Sequence, residues 1–107
     1  MNLSELEKSI GYSFSNKHLL KTALTHTSYA HENKVESNEK LEYLGDSILE
    51  FVTSDYLYTN YKNLNEGEMT KVRASIVCEE SLYKVAIKHN FSDFLILGKS
   101  EITCKRK

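Results

Sequence analysis

Hydrophobic residues recur along this chain at the spacing of α-helices and not at that of β-strands. Leu19, Leu20, Ala23 and Leu24 occupy positions i, i+1, i+4 and i+5, which places them on one stripe of a helix. A second helical pattern covers residues 38–58, where apolar residues return at similar intervals. The chain has no proline and only four glycines, the two residues that interrupt helices most strongly. The pattern predicts an all-α fold.

Residues that favour helix ends set the expected boundaries. Three candidate N-caps precede helical stretches: Ser4, Asn16 and Asn65. Ser4 and Asn65 are each followed three positions later by glutamate, which is the capping-box pattern. The first helix is expected to end at Gly11, because glycine readily adopts the left-handed conformation that closes a helix. Helices are also expected over about 38–58, 65–77 and 82–86, a loop with or without a helical turn over 25–37, a short helix or extended segment over 91–97, and a frayed tail at 104–107.

Composition and charge are those of an ordinary globular chain of 107 residues, 40% hydrophobic and 27% charged. No apolar run is long enough to span a membrane, and the N-terminus lacks the regions of a signal peptide, so we expect a cytoplasmic protein without a membrane partner. The net charge is −1, whereas a dedicated nucleic-acid binder usually has a basic excess. Cys78 and Cys104 have no metal-ligand neighbours and are expected to be reduced.

Three acids of the longest predicted helix fall on one of its faces. At about 100° per residue, Glu39, Glu42 and Asp46 lie within roughly 60° of one another. The opposite face carries apolar residues that are expected to pack into the core: Leu41, Leu44, Ile48 and Val52. Clustered carboxylates repel one another, and a divalent cation such as magnesium would relieve that repulsion. The spacing alone favours a solvated acidic face, because charge runs on helices are usually solvated.

Four ordered segments resemble the motifs of the ribonuclease III family. The sequence NEKLEYLGDS at 38–47 resembles the family signature N-E-R-L-E-F-L-G-D-S/A, with Lys40 in place of arginine and Tyr43 in place of phenylalanine. Three further segments resemble the family's other motifs in the same order and spacing: ALTHTSY at 23–29, NEGEMTKVRA at 65–74 and FLILGK at 94–99. Together the four segments cover nearly the whole chain.

The resemblance implies an all-α, dimeric nuclease domain that cuts both strands of an RNA duplex, in the processing of ribosomal and messenger RNA. By position in the signature, Glu42 and Asp46 would be the catalytic, metal-binding acids, with Mg²⁺ as cofactor and Mn²⁺ as a substitute. Glu39 and Glu66 would be accessory acids or substrate contacts. Tyr43 would insert into the second subunit of a homodimer. The implied mechanism is two-metal phosphodiester hydrolysis, which needs no protein nucleophile.

One family block is absent from the sequence. The motif S-I-L-A-D-x-x-E-A-x-x-G, which supplies two further acids, has no counterpart in residues 1–107. The chain is therefore expected to be a nuclease domain truncated before its last acidic helix, without a double-stranded-RNA-binding domain, and to cleave little or nothing alone. Two alternatives are a catalytically inactive relative that serves as an RNA-binding or ribosome-associated scaffold, and a stand-alone nuclease domain.

Three single residues leave structural and functional interpretations open. His26 is expected to cap or anchor the loop after the second helix, although histidine also serves as a catalytic group or metal ligand. Arg73 could contact a phosphate, or pair with a nearby glutamate such as Glu66. Gly45, inside a predicted helix, suggests a close approach by another backbone.

Overall fold

The computed structural model describes residues 2–99 and 101–102 of the chain. The predictions of a frayed tail and of a reduced Cys104 lie outside these residues. Helices account for most of the described part, in the order α1 (Leu3–Ile10), α2 (Lys17–Ala23), α3 (Thr27–Asn33), α4 (Glu39–Asn60), α5 (Glu66–Ile76), α6 (Glu79–Lys88) and a 3₁₀ helix (Phe91–Phe94). These residues contain no strand, only an isolated parallel bridge between Thr25 and Ile96. The all-α prediction is confirmed.

The described residues divide into two compact units. The first comprises the residues up to Glu42 together with those from His89 onward, and the second comprises Tyr43–Lys88. In the first unit, α1 packs against the 3₁₀ helix. Its core is a buried cluster of side chains from both ends of the sequence: Leu6, Leu20, Leu24 and Phe94. The 91–97 segment forms a short helix and then an extended strand-like stretch, so it combines the two predicted conformations.

The first helix begins two residues earlier than the sequence pattern predicts. Asn2, not Ser4, is the N-cap: its Oδ1 accepts hydrogen bonds from the backbone N–H of Ser4 at 3.0 Å and from the Ser4 hydroxyl at 2.6 Å. The capping box predicted for Ser4 and Glu7 is therefore wrong, because Asn2 provides the capping acceptor and the Glu7 carboxylate is engaged elsewhere. The predicted end at Gly11 is confirmed, with φ of 74°.

Glu7 has a different role from the one that its capping pattern predicts. Its side chain is 92% shielded from solvent, and Oε2 accepts hydrogen bonds from the backbone N–H of Phe14 and from Lys17 Nζ, both at 2.6 Å. These contacts tie α1 to the turn that leads into α2. Asn16 caps α2 as predicted, through a hydrogen bond to the N–H of Leu19.

The segment 25–37, predicted as a loop with or without a helical turn, contains a two-turn helix, α3. The polar sequence lacks an apolar stripe, but His26 supplies the cap: its Nδ1 accepts a hydrogen bond from the N–H of Ser28 at 3.1 Å. The backbone of His26 also donates to the carbonyl of Ile96 at 2.9 Å, and Gly98 N–H donates to the Ser28 hydroxyl at 2.8 Å. The structural interpretation of His26 is thereby confirmed.

The second unit, Tyr43–Lys88, buries very little of its apolar surface. Only Thr53 and Leu57 are buried there. The predicted packing of the α4 apolar face into a core is wrong for most of its members, because Leu44, Ile48 and Val52 are each more than half exposed. A Cβ at Gly45 would meet no atom of the described residues within 4 Å, so the expected close approach is absent from them.

None of the described helices is long and apolar enough to span a membrane.

Candidate functional site

The start of α4 is anchored by the first residue of the signature, Asn38. Its backbone N–H donates to the carbonyl of Thr25 at 2.9 Å, and its side-chain amide donates to the carbonyl of Ala23 at 3.3 Å. Its own carbonyl accepts the N–H of Glu42 at 2.8 Å. Asn38 thus fixes the first turn of α4 against the end of α2, a positioning role that the sequence pattern did not assign.

The three acids of the signature are exposed along α4. Glu42 and Asp46 stand four residues apart, about 6 Å along the helix axis, on one face. Neither has an ion-pair partner in the described part of the chain. Glu39 differs, because its Oε1 accepts a hydrogen bond from the Ser37 hydroxyl at 3.3 Å. Glu42 and Asp46 therefore present uncommitted carboxylate oxygens, as a hard cation requires.

Glu66 is the first residue of α5. The capping interactions of this helix are made by its neighbours Asn65 and Glu68 and do not use the Glu66 side chain. Asn65 accepts the N–H of Glu68 at 2.8 Å, and the Glu68 carboxylate accepts the N–H of Asn65 at 2.9 Å. This capping box confirms the sequence prediction and commits Glu68 to helix stability. Glu66 remains exposed, without an ion pair to any described residue.

Glu66 also lines a cleft of about 260 Å³ in the second unit. The cleft is lined by residues of α4 and α5: Ser54, Leu57, Tyr58, Glu66, Met69, Thr70 and Arg73. Arg73 Nη1 donates a hydrogen bond to the Ser54 hydroxyl at 2.8 Å. No carboxylate of the described residues lies within ion-pair distance of Arg73, so of the two interpretations left open by the sequence, pairing with a glutamate is not observed. The sequence pattern carried no signal for the part that Ser54 plays.

The donor set on α4 can be compared with what magnesium requires. The described residues contain no group of three or more His, Cys, Asp or Glu side chains that could hold a metal ion. Magnesium, however, usually keeps several waters and takes only one or two protein carboxylates together with a phosphate oxygen. Glu42 and Asp46 offer two such carboxylates on adjacent turns. They fit a magnesium ion that is completed by water and substrate.

Tyr43 precedes the apolar face of α4 and is 79% exposed. An aromatic ring with so much exposed surface has little packing of its own and suits a contact with another chain.

Cys78 lies at the start of α6, where a hydrogen bond with the Ser81 hydroxyl lowers the pKa of its exposed thiol. Cys78 is a free thiol and forms no disulfide with any described residue.

The chain is similar to proteins of one family. A family model described as Ribonuclease-III-like matches residues 16–107. A Ribonuclease 3 of Clostridium perfringens is 50% identical over 102 residues, which are 94% of this chain and 43% of that protein. A Ribonuclease 3 of Caldanaerobacter subterraneus is 54% identical over 101 residues, 92% of this chain and 44% of its own length. The chain therefore spans less than half the length of these curated relatives.

A solved structure resembles the fold closely. The nuclease domain of ribonuclease III from Campylobacter jejuni, described as flexible in a region involved in dimer formation, superposes with a TM-score of 0.87. The two chains are 38% identical, and the match covers 97% of this chain and 71% of the other.

Proposed function

The chain belongs to the ribonuclease-III-like family, and we propose that it forms the acid-bearing part of an endonuclease that hydrolyses double-stranded RNA. The observation that carries this proposal is the pair of exposed, unpaired carboxylates, Glu42 and Asp46, on adjacent turns of α4. An acidic face that is merely solvated could equally have lysine partners one turn away along the helix. The absence of ion pairs around these two acids, among the residues described, favours a cation as their partner.

The roles proposed for the site residues are those that the family resemblance implies. Glu42 and Asp46 bind the metal, and Glu66 and Glu39 act as accessory acids or substrate contacts, Glu39 being steadied by Ser37. Magnesium, or manganese in its place, supplies a Lewis acid and lowers the pKa of bound water, in a two-metal arrangement that further acids complete. The protein itself orients the RNA and provides no nucleophile.

The proposal extends to partners and setting. Two copies form a homodimer in which Tyr43 inserts into the partner, since its ring is almost fully exposed in the single chain. The substrates are duplex segments of ribosomal and messenger RNA in the cytoplasm. Because Glu42, Asp46 and Glu66 are only part of the acid set that the family resemblance implies, residues 1–107 alone are expected to cleave little or nothing.

Cleavage by a chimera provides the test. This chain, up to the last residue matched by the Clostridium perfringens relative, is joined to the segment that follows the matched region in that relative. A long RNA duplex is then incubated with the chimera and magnesium. We expect cleavage by the chimera, none by residues 1–107, and a loss of at least a hundredfold with Asp46→Ala, since one ligand of the metal is removed. Asp55→Ala is the matched control: it removes an exposed acid about 180° away around the same helix.

The outcomes separate the alternatives. If Asp46→Ala abolishes cleavage and Asp55→Ala does not, the acid line on α4 is catalytic. A chimera that binds the duplex without cutting it, under conditions where the intact relative cuts, favours the RNA-binding scaffold. Efficient cleavage by residues 1–107 contradicts the proposed dependence on further acids.

A further inference from the structure

Arg73 is the only arginine among residues 2–99 and 101–102, and it is half-buried. Its guanidinium always carries a positive charge and offers five N–H donors in a planar fork. One of these donors is used, in the 2.8 Å hydrogen bond from Nη1 to the Ser54 hydroxyl. No described carboxylate neutralises the charge. A partly buried cation with unused donors is better stabilised by an anion than by a hydroxyl alone.

The surroundings of Arg73 are those of a binding cleft rather than of a flat surface. The cleft has a volume of about 260 Å³, and Leu57 and Met69 contribute apolar side chains to its lining. Thr70 of α5 and Ser54 of α4 also line the cleft. A cation held by a hydroxyl inside a cleft with apolar lining suits an oxyanion as its further partner.

The position of the cleft relates it to the acids of the proposed function. Glu66 and Arg73 both line the cleft, and they stand seven residues apart, about 10 Å along the same face of α5. Ser54 follows Asp46 by eight residues, about 12 Å along α4. A phosphate held by Arg73 is therefore a different phosphate from the one that Asp46 would meet through a metal.

We propose that Arg73, steadied by Ser54, binds a backbone phosphate of the RNA duplex away from the cleavage point and so positions the substrate. This inference rests on the proposed function, because it names a second contact with the same RNA. Arginine binds phosphate with two parallel hydrogen bonds, and phosphate contacts fix the register of a protein on a duplex without reading its sequence. Arg73 is a positioning residue in this role.

The experiment measures how binding depends on salt, since a merely structural role for Arg73 would leave that dependence unchanged. The whole chain is titrated into a fluorescein-labelled RNA duplex of about 16 base pairs with magnesium present, and anisotropy is followed between about 50 and 200 mM KCl. The variants are Arg73→Gln, Arg73→Lys and Ser54→Ala. Lys71→Gln is the matched control, because it also removes one positive charge from α5. Lys71 lies about 140° around the helix from Glu66, which shares the cleft-lining face with Arg73.

We expect Arg73→Gln to weaken binding about tenfold and to lower the slope of log K against log salt by about 1. Arg73→Lys should keep the slope but lose part of the affinity, since an ammonium cannot make the two-pronged contact. Ser54→Ala should weaken binding less and leave the slope intact. Lys71→Gln should change neither quantity as strongly as Arg73→Gln. Thermal unfolding by circular dichroism checks that each variant is folded.

Each result decides between the two proposals. If the duplex binds and Arg73→Gln behaves like Lys71→Gln, the phosphate site is overturned while the nuclease proposal stands. If Arg73→Gln lowers the slope but the chimera with intact acids never cuts RNA, the phosphate site stands and the nuclease proposal falls. If no duplex binds to the unmodified chain, the phosphate site is overturned whatever the chimera does.

Discussion

At the scale of single residues, two glycines of the motifs have opposite surroundings. A Cβ at Gly98 would lie 2.9 Å from the backbone carbonyl of Ser28 and 2.6 Å from Glu32 Oε2. A Cβ at Gly45, in the middle of the signature, would meet nothing within 4 Å among the described residues. The first glycine is required by close packing of the 96–98 segment on α3, and the second is not required by anything within the described chain.

Alanine substitutions should therefore have effects of opposite sign. Gly98→Ala should destabilise the chain by about 1–3 kcal/mol, because the backbone of α3 cannot yield to the added methyl group. Gly45→Ala should stabilise it by about 0.5–1 kcal/mol, since alanine loses less conformational entropy in a helix. Urea unfolding followed by circular dichroism measures both changes. A destabilising Gly45→Ala would show that another backbone approaches α4 in solution.

Sequence reasoning works at this scale where a residue acts on its own neighbours. Asn16, Asn65 and Gly11 were assigned correctly, because caps depend on local geometry. The sequence does not decide the partner of Arg73 and gives no sign of the role of Ser54, because their contact joins residues 19 positions apart. No local pattern encodes such a partner.

At the scale of elements, one buried carboxylate ties two helices together. Glu7 of α1 accepts hydrogen bonds from Lys17, at the start of α2, and from the backbone of Phe14 in the intervening turn. The Lys17 hydrogen bond, followed by the Phe14 N–H, lowers the pKa of Glu7 below its ordinary value of 4.5. The ionised form is thus favoured by the fold.

This lowered pKa predicts how stability depends on pH. A carboxyl group whose pKa is lower in the folded state contributes stability above its unfolded pKa, and the contribution is lost as the pH falls through the folded pKa. Glu7→Gln should therefore reduce the unfolding free energy near neutral pH and flatten its decline below about pH 4.5. Glu5→Gln, on the exposed side of α1, is the control. Equal pH profiles for the two variants would contradict the role of Glu7.

The helices themselves were predictable to different degrees. The long helix was placed within two residues of α4 because its apolar spacing is sustained. The sequence pattern predicts at most a helical turn where α3 forms, because the stability of α3 comes from the His26 cap and from backbone contacts with the 96–98 segment, about 70 positions later in the sequence. Tertiary contacts of this kind override weak local preference.

At the scale of the whole molecule, the second unit shows where periodicity misleads. The spacing correctly separated an acidic face of α4 from an apolar one, but it also predicted that the apolar face would be buried. Within Tyr43–Lys88 most of the large apolar side chains remain exposed instead, among them Tyr43 at 79% and Phe51 at 71%. Amphipathic spacing says that a face needs a partner and does not say which segment or chain provides it.

The proposed homodimer makes this surface testable. Sedimentation velocity over a range of protein concentrations should show that the chain self-associates and that Tyr43→Ser weakens the association by about 2 kcal/mol, roughly thirtyfold in Kd, as expected for a buried aromatic anchor. Tyr12→Ser is the control, because Tyr12 is also largely exposed, at 61%, but belongs to the first unit. A general loss of exposed aromatic surface would affect both variants alike, whereas a specific contact at Tyr43 would affect only one. If both variants associate like the unmodified chain, the partner of the α4 apolar face is not a second copy held through Tyr43, and the homodimer proposal fails at that residue.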